Sequence, residues 1–325
     1  MKAPHFWSHK GGTSSLLMGA SWLYRFAGWC RALTTKPYHA SLPVICVGNI
    51  TSGGTGKTPV TAALAKLAIA HNLRPIILTR GYGGTITTPT LIDRDHHSAS
   101  DCGDEPLLLA KYADVVVARN RAKGAQFIEQ TGAYDVIIMD DGMQNPQLHK
   151  DKIICVFDGA IGTQNNRIFP AGPLRAPLSD AARRADLIMI NGADETGLTT
   201  FFADKPLIPF TLDADQAVPP LKKGMKAYAF AGIGRPQRFF DTLTDAGYYL
   251  VQTKSFGDHH PYSQKDISDL VDAASALSAV LITTQKDWVR LHKSLRDHIS
   301  YLPVSLQLSQ KDSSLLASIL PSQGR

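Results

Sequence analysis

A strand, a glycine-rich turn and a helix start follow one another in the run VICVGNITSGGTGKTPVTAAL at residues 44–64. The apolar segment predicts a buried strand, and Lys57 and Thr58 open a helix that has Pro59 in its first turn. The glycines let backbone N–H groups converge on a phosphate, and the helix N-terminus adds partial positive charge. In this arrangement the lysine reaches the β- and γ-phosphates and the threonine hydroxyl ligates Mg²⁺. The run predicts a phosphate loop in an α/β nucleotide-binding fold.

The phosphate loop departs from the strict motif at one position, because Thr51 stands where a first glycine is expected. A glycine-rich turn that binds nothing is the alternative interpretation, although it would leave a cationic nest unused. Ser52 stands where partitioning ATPases carry a second lysine, which argues against that class. The predicted nucleotide-binding residues are Ser52, Gly53, Gly54, Thr55, Gly56, Lys57 and Thr58.

From Pro43 onward, short Val/Ile-rich runs alternate with helical patterns. Continuous apolar runs of this kind are typical of parallel strands covered by helices on both faces. We therefore predict a P-loop NTPase-type, mostly parallel sheet flanked by helices. The pattern lapses in a stretch rich in Pro, Asp and Lys between Phe210 and Gly224, then resumes. This predicts a nucleotide-binding core over residues 41–212 and a smaller α/β domain over residues 213–325.

Residues 1–40 are predicted to form an amphipathic helical segment. The uncharged stretch from Gly11 to Tyr24 is shorter than the roughly 20 residues that a spanning helix needs. At 100° per residue, Trp22, Phe26, Trp29 and Leu33 share one stripe. With basic residues nearby, the stripe favours a helix lying on a membrane surface. A core or partner-binding helix would show the same stripe, and a secretory signal is the least favoured interpretation, because Arg25 interrupts the apolar run.

The charge and cysteine content bound the partners and the compartment. The chain has 34 Lys and Arg against 28 Asp and Glu, a modest excess that favours anionic ligands. No dense basic block or basic–aromatic pattern is present, so nucleic acid is not an expected partner. The four cysteines are isolated, which fits a reducing compartment.

Several acidic and histidine residues are candidates for chemistry. Asp140 and Asp141 follow an apolar strand, where a carboxylate can hold Mg²⁺ beside the phosphate loop, although Asp-Asp-Gly also suits a simple turn. Asp104 reads as the N-cap of a helix, with Glu105 in its first turn. His259 lies in the loop FGDHH, which is either a general-base site or a surface loop.

The chain resembles the tetraacyldisaccharide 4′-kinases, the lipid A 4′-kinases of Gram-negative bacteria, over almost its whole length. The matching segments, in order, are VGNITSGGTGKTP, LTRGYGG, GDEPLLLA, MDDGMQN, RIFPAGPLR, FAGIGRPQRFF, FGDHH and LITTQKD. The resemblance implies ATP- and Mg²⁺-dependent phosphorylation of the 4′-hydroxyl of a tetraacylated glucosamine disaccharide 1-phosphate, giving lipid IVA in lipid A biosynthesis. It also implies a peripheral enzyme at the cytoplasmic face of the inner membrane.

Carried over by motif, the resemblance makes Lys57, Asp104 and His259 catalytic, with His259 as the partner of Asp104 and His260 as the alternative. It places Arg80, Tyr82 and Glu105 toward the lipid substrate, and Thr58, Asp140 and Asp141 at the metal. Ala176, Asn145 and Gln285 depart from the family pattern, which leaves the neighbouring Arg175, Gln144 and Lys286 as doubtful site members.

A nucleotide-switched membrane adaptor or GTPase is the rival interpretation. A GTPase should carry an N/T-K-x-D guanine motif late in the domain. In TTQKD, Lys286 and Asp287 are adjacent, so that segment lacks the intervening residue. A comparison of ATP with GTP would separate the two classes.

Overall fold

The computed structural model describes residues 4–322 of the chain. Its strands are β1 (Val44–Gly48), β2 (Pro75–Thr79), β3 (Thr90–Leu91), β4 (Asp114–Val117), β5 (Val136–Asp140), β6 (Lys152–Asp158), β7 (Leu187–Asn191), β8 (Leu207–Ala214), β9 (Lys226–Ala231), β10 (Tyr249–Ser255), β11 (Val280–Thr284), β12 (Ile299–Leu302) and β13 (Val304–Gln307). Its α-helices are α1 (Gly12–Leu16), α2 (Met18–Thr34), α3 (Lys57–Ala70), α4 (Ala99–Cys102), α5 (Asp104–Leu109), α6 (Arg121–Thr131), α7 (Leu178–Arg184), α8 (Leu198–Phe201), α9 (Pro236–Asp245), α10 (Gln264–Ala276), α11 (Gln285–Trp288) and α12 (Gln310–Ala317), with short 3₁₀ helices at His5–Trp7 and Lys293–Leu295.

The larger sheet has nine strands in the order β13-β8-β7-β6-β1-β5-β2-β4-β3. All neighbouring strands are parallel except at the two edges, where β3 pairs antiparallel with β4 and β13 with β8. The central strands β1, β2, β5 and β7 are buried along their whole length, as expected for a sheet covered on both faces. One apolar core includes residues of α3, α5 and α12, and the other includes residues of α6, α7 and α8. The predicted mostly parallel, helix-flanked sheet is confirmed.

The second sheet has four parallel strands in the order β10-β9-β11-β12. Helix α9 packs its apolar side, with Phe239, Phe240 and Leu243, into one core of this sheet. Helix α10 packs Ile267 and Leu270 into another. A smaller α/β unit therefore follows the nucleotide-binding sheet, as the alternating pattern predicts.

The chain returns to the first sheet near its end. The sequence assigns the run ISYLPVSL to the second domain, but its halves belong to different sheets: β12 pairs with β11, whereas β13 pairs with β8. Pro303 separates the two strands, and proline cannot donate to a strand ladder. Helix α12 then buries Leu316 in the core that contains α3. Strand β13 and helix α12 therefore pack with the first sheet, and the prediction that residues 304–317 belong to the second unit is wrong for these two elements. A domain division near residue 212 stays a prediction.

Helix α2 presents its apolar stripe to solvent. Trp22, Phe26, Trp29 and Leu33 are all exposed, whereas Ser21, on the opposite side, is buried. The interpretation of this stripe as a buried core helix is therefore wrong. No helix within residues 4–322 is both long and apolar enough to span a bilayer.

Candidate active site

The phosphate loop lies at the carboxyl end of β1, between that strand and α3. Asn49 ties the turn together, because its Nδ2 donates to Thr51 Oγ1 at 3.4 Å and to Thr55 Oγ1 at 3.3 Å. Thr51 does not adopt a positive φ, unlike Gly53 and Gly56. A threonine therefore fits where the strict motif has glycine, and its hydroxyl closes the turn.

The segment before α7 forms a wall of the phosphate loop. The backbone N–H of Ser52 donates to the carbonyl of Pro173 at 2.8 Å, and the N–H of Arg175 donates to the carbonyl of Ile50 at 2.6 Å. These bonds bring the Arg175 side chain to the end of β5, where its Nη1 lies 3.2 Å from both carboxylate oxygens of Asp141.

Asp140 and Asp141 end β5 beside the phosphate loop, as predicted. Lys57 Nζ lies 3.7 Å from Asp141 Oδ1, and Asp140 Oδ1 accepts from Thr61 Oγ1 at 3.0 Å. Burial, with the negative charges of Glu105 and Asp141, raises the pKa of Asp140 to about 7. Burial acts in the same sense on Asp141, but the charges of Lys57 and Arg175 outweigh it and lower the pKa of that carboxyl.

The acid pair fits a divalent cation. Asp140 is only 1% exposed, and a second cation beside Lys57 would relieve the repulsion that its ionised form meets there. Among residues 4–322, no three or more His, Cys, Asp or Glu side chains are grouped to hold a metal ion. Magnesium would then be held by few protein ligands together with phosphate oxygens, as is usual for this ion.

The structure brings Asp104 and His259 together across the two sheets. His259 Nδ1 lies 3.1 Å from Asp104 Oδ2, whereas His260 Nε2 lies 3.3 Å from Asp266 Oδ2. His259 is therefore the partner of Asp104. The N-cap of α5 is Gly103, and Asp104 is its first helical residue. The prediction that Asp104 is the N-cap is therefore wrong, although its Oδ1 accepts from the first-turn N–H of Glu105 at 2.9 Å.

Two basic residues of the second unit share the carboxylate of Asp104. Arg290 Nε donates to Asp104 Oδ2 at 2.8 Å, and Lys286 Nζ lies 4.0 Å from the same oxygen and 3.0 Å from Glu105 Oε1. Burial alone would raise the pKa of Asp104. The hydrogen bond from His259 and the charges of Lys286 and Arg290 outweigh burial and hold that pKa well below its usual range.

The turn predicted to face the lipid substrate lies beside this pair. The Tyr82 ring is 67% exposed and packs edge-on against the His259 imidazole, with ring centroids 5.7 Å apart. Arg80 is also exposed, and its positive charge acts on the buried Arg121. The carbonyl oxygen of Tyr82 lies 2.4 Å from the position of a Cβ built on Gly103, which has φ +89°. Only glycine at position 103 allows the two turns to approach this closely.

Some members of the site are not evident in the sequence. Arg175 and Lys286, which the family departures left in doubt, contact Asp141 and Glu105 respectively, and Gln144 Nε2 donates to the carbonyl of Asn49 at 2.7 Å. Arg290 was missed altogether. Arg290 follows Asp287 by three residues, and this spacing is the only feature of the sequence that points to a contact. By itself it indicates an ion pair on a helix surface.

The comparison with protein families identifies the chain. A family model described as "Tetraacyldisaccharide-1-P 4'-kinase" matches residues 13–321. A tetraacyldisaccharide 4′-kinase from Rhodospirillum centenum is 41% identical over 98% of this chain and 97% of its own length. The chain belongs to the tetraacyldisaccharide-1-P 4′-kinase family. Another member, from Paramagnetospirillum magneticum, is 45% identical over 94% of each chain.

The family membership agrees with the fold. The structure of LpxK from Aquifex aeolicus in complex with ATP is similar, with a TM-score of 0.76 and 26% identity over 95% of this chain and 99% of that chain. The family resemblance and the P-loop kinase fold inferred from the sequence are thus both confirmed. The individual site residues stay predictions, now with the geometry described above.

Proposed function

We propose that this protein transfers the γ-phosphoryl group of ATP to the 4′-hydroxyl of a tetraacyldisaccharide 1-phosphate, producing lipid IVA for lipid A biosynthesis. One observation supports the proposal: the phosphate loop, with Asp140 and Asp141 beside it, lies on the same side of the fold as the pair formed by Asp104 and His259. Glu105 links the two groups, because it pairs with Lys286 and its charge acts on Asp140. A phosphate donor and an acceptor hydroxyl would meet between them.

The donor half of the site consists of Ser52, Gly53, Gly54, Thr55, Gly56, Lys57 and Thr58. The backbone N–H groups of this turn and the ammonium of Lys57 would neutralise charge on the transferring phosphoryl group. Thr58, Asp140 and Asp141 would hold Mg²⁺, which supplies further charge neutralisation when bound. Arg175 is held 3.2 Å from Asp141 and adds positive charge at the same end of the loop.

The acceptor half of the site is the pair formed by Asp104 and His259. The carboxylate of Asp104 is one candidate to take the proton of the acceptor hydroxyl. Its depressed pKa makes it a weak base, and its oxygens already accept from the backbone N–H of Glu105 and from Arg290. We therefore assign the proton to the imidazole of His259, with Asp104 orienting the ring and stabilising its protonated form. Arg80, Tyr82 and Glu105 would line the approach of the lipid.

The exposed stripe of α2 is the proposed contact with the membrane. Four basic residues around it, Lys10, Arg25, Arg31 and Lys36, are exposed and available to anionic headgroups. Tryptophan and phenylalanine on an exposed helix suit the interfacial layer of a bilayer. We place the enzyme peripherally at the cytoplasmic face of the inner membrane, where both ATP and an acylated substrate are accessible.

The direct test is transfer of ³²P from [γ-³²P]ATP to a purified tetraacyldisaccharide 1-phosphate in detergent micelles. We expect labelled bisphosphorylated lipid with the wild type and a loss of transfer with Lys57→Ala. ATP hydrolysis without any labelled lipid would instead support the nucleotide-switched adaptor.

A further inference from the structure

A row of residues at the carboxyl edge of the first sheet lies on the side of β1 that the proposed mechanism does not use. Asp158 and Asn191 are the last residues of β6 and β7, and Phe210 lies within β8. Asp158 is opposite Asn191, and Asn191 is opposite Phe210. The acids of β5 lie on the other side of β1. Ligands of open α/β sheets gather at this carboxyl edge.

The row touches the phosphate loop at Gly56. A Cβ built on Gly56 would lie 3.3 Å from Asn191 Nδ2 and 3.3 Å from Phe210 Cζ, and Gly56 has φ +97°. Both the close approach and the positive φ require glycine at this position. The side-chain amide of Asn191 is thereby held against the loop that is proposed to bind the phosphates.

Asn191 is a buried polar residue with an unused side chain. It is 6% exposed, yet its side-chain amide makes no hydrogen bond to any other residue in the described range 4–322. Its amide atoms are not among the fully enclosed unpaired side-chain atoms of this range, so they keep contact with solvent and are open to a bound molecule. An amide held in this way beside a ligand-binding turn is suited to pair with the ligand.

A nucleotide bound to the phosphate loop would bring its base toward this row. Lys57 and the β5 acids mark the γ-phosphate end of the loop, because the lysine reaches the β- and γ-phosphates. The nucleoside end would then extend past Gly56, toward β7 and β8. The second unit supplies a wall here: Arg238 Nη1 is held by Asp158 Oδ2 at 2.8 Å, and Arg238 Nη2 lies 3.9 Å from a Cβ built on Gly192.

We propose that Asn191 recognises the adenine base of ATP at the N6–N7 edge of the base. This inference rests on the proposed function. An asparagine amide pairs with this edge in both directions, donating to N7 and accepting from the N6 amino group. Guanine presents two acceptors, N7 and O6, at the same edge, so only one of the two bonds can form. Asn191 is therefore a specificity-determining residue for the nucleotide.

The neighbouring Asp194 argues against guanine as the preferred base. Asn191-Gly192-Ala193-Asp194 has the asparagine and aspartate of an N-K-x-D motif at the right spacing, but glycine replaces the lysine. The carboxylate of Asp194 already accepts from the backbone N–H groups of Thr196, Leu198 and Thr199, at 3.1, 3.2 and 2.7 Å. It is thus committed to the start of α8 and is not available to the donor edge of guanine.

The test compares ATP with GTP as phosphoryl donors to the same lipid. We expect the wild type to favour ATP by about tenfold in kcat/KM, within the range of one bidentate base contact. Asn191→Ala should lower kcat/KM for ATP by about tenfold and for GTP by about twofold, with the KM for lipid unchanged. Asn191→Leu is the matched control for packing, because it keeps the side-chain size, loses both the donor and the acceptor without adding charge, and should also abolish the preference.

An unchanged ATP-to-GTP ratio in both variants, or a wild type without preference, would overturn the assignment. If Asn191→Ala does not fold, Asn191→Leu decides the question alone. Thermal-shift measurements with ADP and GDP, made without lipid, test base recognition separately from phosphoryl transfer to the lipid. A larger shift by ADP that is lost in Asn191→Leu supports base recognition even if no lipid is phosphorylated, and equal shifts in the wild type refute it.

Discussion

Replacing the two most central aromatic residues of the α2 stripe should detach the protein from membranes without unfolding it. Trp22 and Phe26 are 72% and 59% exposed, so neither supports the core. With about 200 Å² for an aromatic side chain, roughly 140 and 120 Å² of these two are free to enter a bilayer. At about 25 cal/mol/Å², full burial would contribute about 6 kcal/mol. A helix lying at the interface buries about half of that area, so Trp22→Ser/Phe26→Ser should weaken partitioning by about 3 kcal/mol, or roughly 100-fold.

Co-sedimentation with vesicles containing anionic phospholipid measures this change, and circular dichroism checks that the fold is retained. The matched control is Phe201→Ser/Tyr249→Ser, which removes two aromatic side chains that are 50% and 63% exposed elsewhere on the surface. The control should partition like the wild type. Equal partitioning of the α2 variant and the wild type would refute the membrane assignment and favour a protein partner for the stripe.

Three further changes test the site. His259→Ala should lower kcat by about 10²- to 10⁴-fold and leave the KM for ATP nearly unchanged, as steady-state kinetics would show; an equal effect on the KM for ATP would place the residue at the nucleotide instead. The raised pKa of Asp140 means that the folded state binds a proton that the unfolded state releases between about pH 4 and 7, so wild-type stability falls as the pH rises through that window. Asp140→Asn should therefore raise the Tm by a few degrees more at pH 8 than at pH 5 in thermal unfolding scans, and an equal rise at both pH values would contradict the shift. Lys286→Met removes a cation from Glu105 and Asp104 and should lower the free energy of unfolding by about 1–3 kcal/mol in urea titrations, whereas unchanged stability would make the contact between the two units dispensable.

The phosphate loop and the parallel sheet could be predicted from the sequence because both depend on local patterns. Three glycines, a Lys-Thr pair and an apolar run before them define the turn and its strand within a short segment. The pairing of Asp104 with His259 depends on two sheets meeting, so local patterns left it open and only the family resemblance suggested it. Arg290 lay further out of reach, since it reads as an ordinary helix-surface charge until the fold places it against a buried carboxylate.

Periodicity does not report what an element packs against, so it left the surroundings of α2 open between two interpretations and missed the division of one apolar run. The α2 stripe has the same spacing whether it faces a core or solvent, and only its surroundings separate the two cases. The run ISYLPVSL reads as one strand, although Pro303 divides it between two sheets. Strand pairing between distant segments is decided by tertiary packing, which a short window of sequence does not contain.

The segment at residues 165–175 joins the exposed helix to the phosphate loop. At one end, Ser21 Oγ of α2 donates to the carbonyl of Ile168 at 2.7 Å. At the other end, Thr51 of the phosphate loop forms a β-bridge with Leu174, and Arg175 reaches Asp141. If α2 lies on a membrane, these contacts would position the phosphate loop relative to the bilayer surface. An acylated acceptor held in the bilayer would then need to raise only its sugar headgroup to the site, so the enzyme would not have to extract the acyl chains at the cost of their burial in lipid.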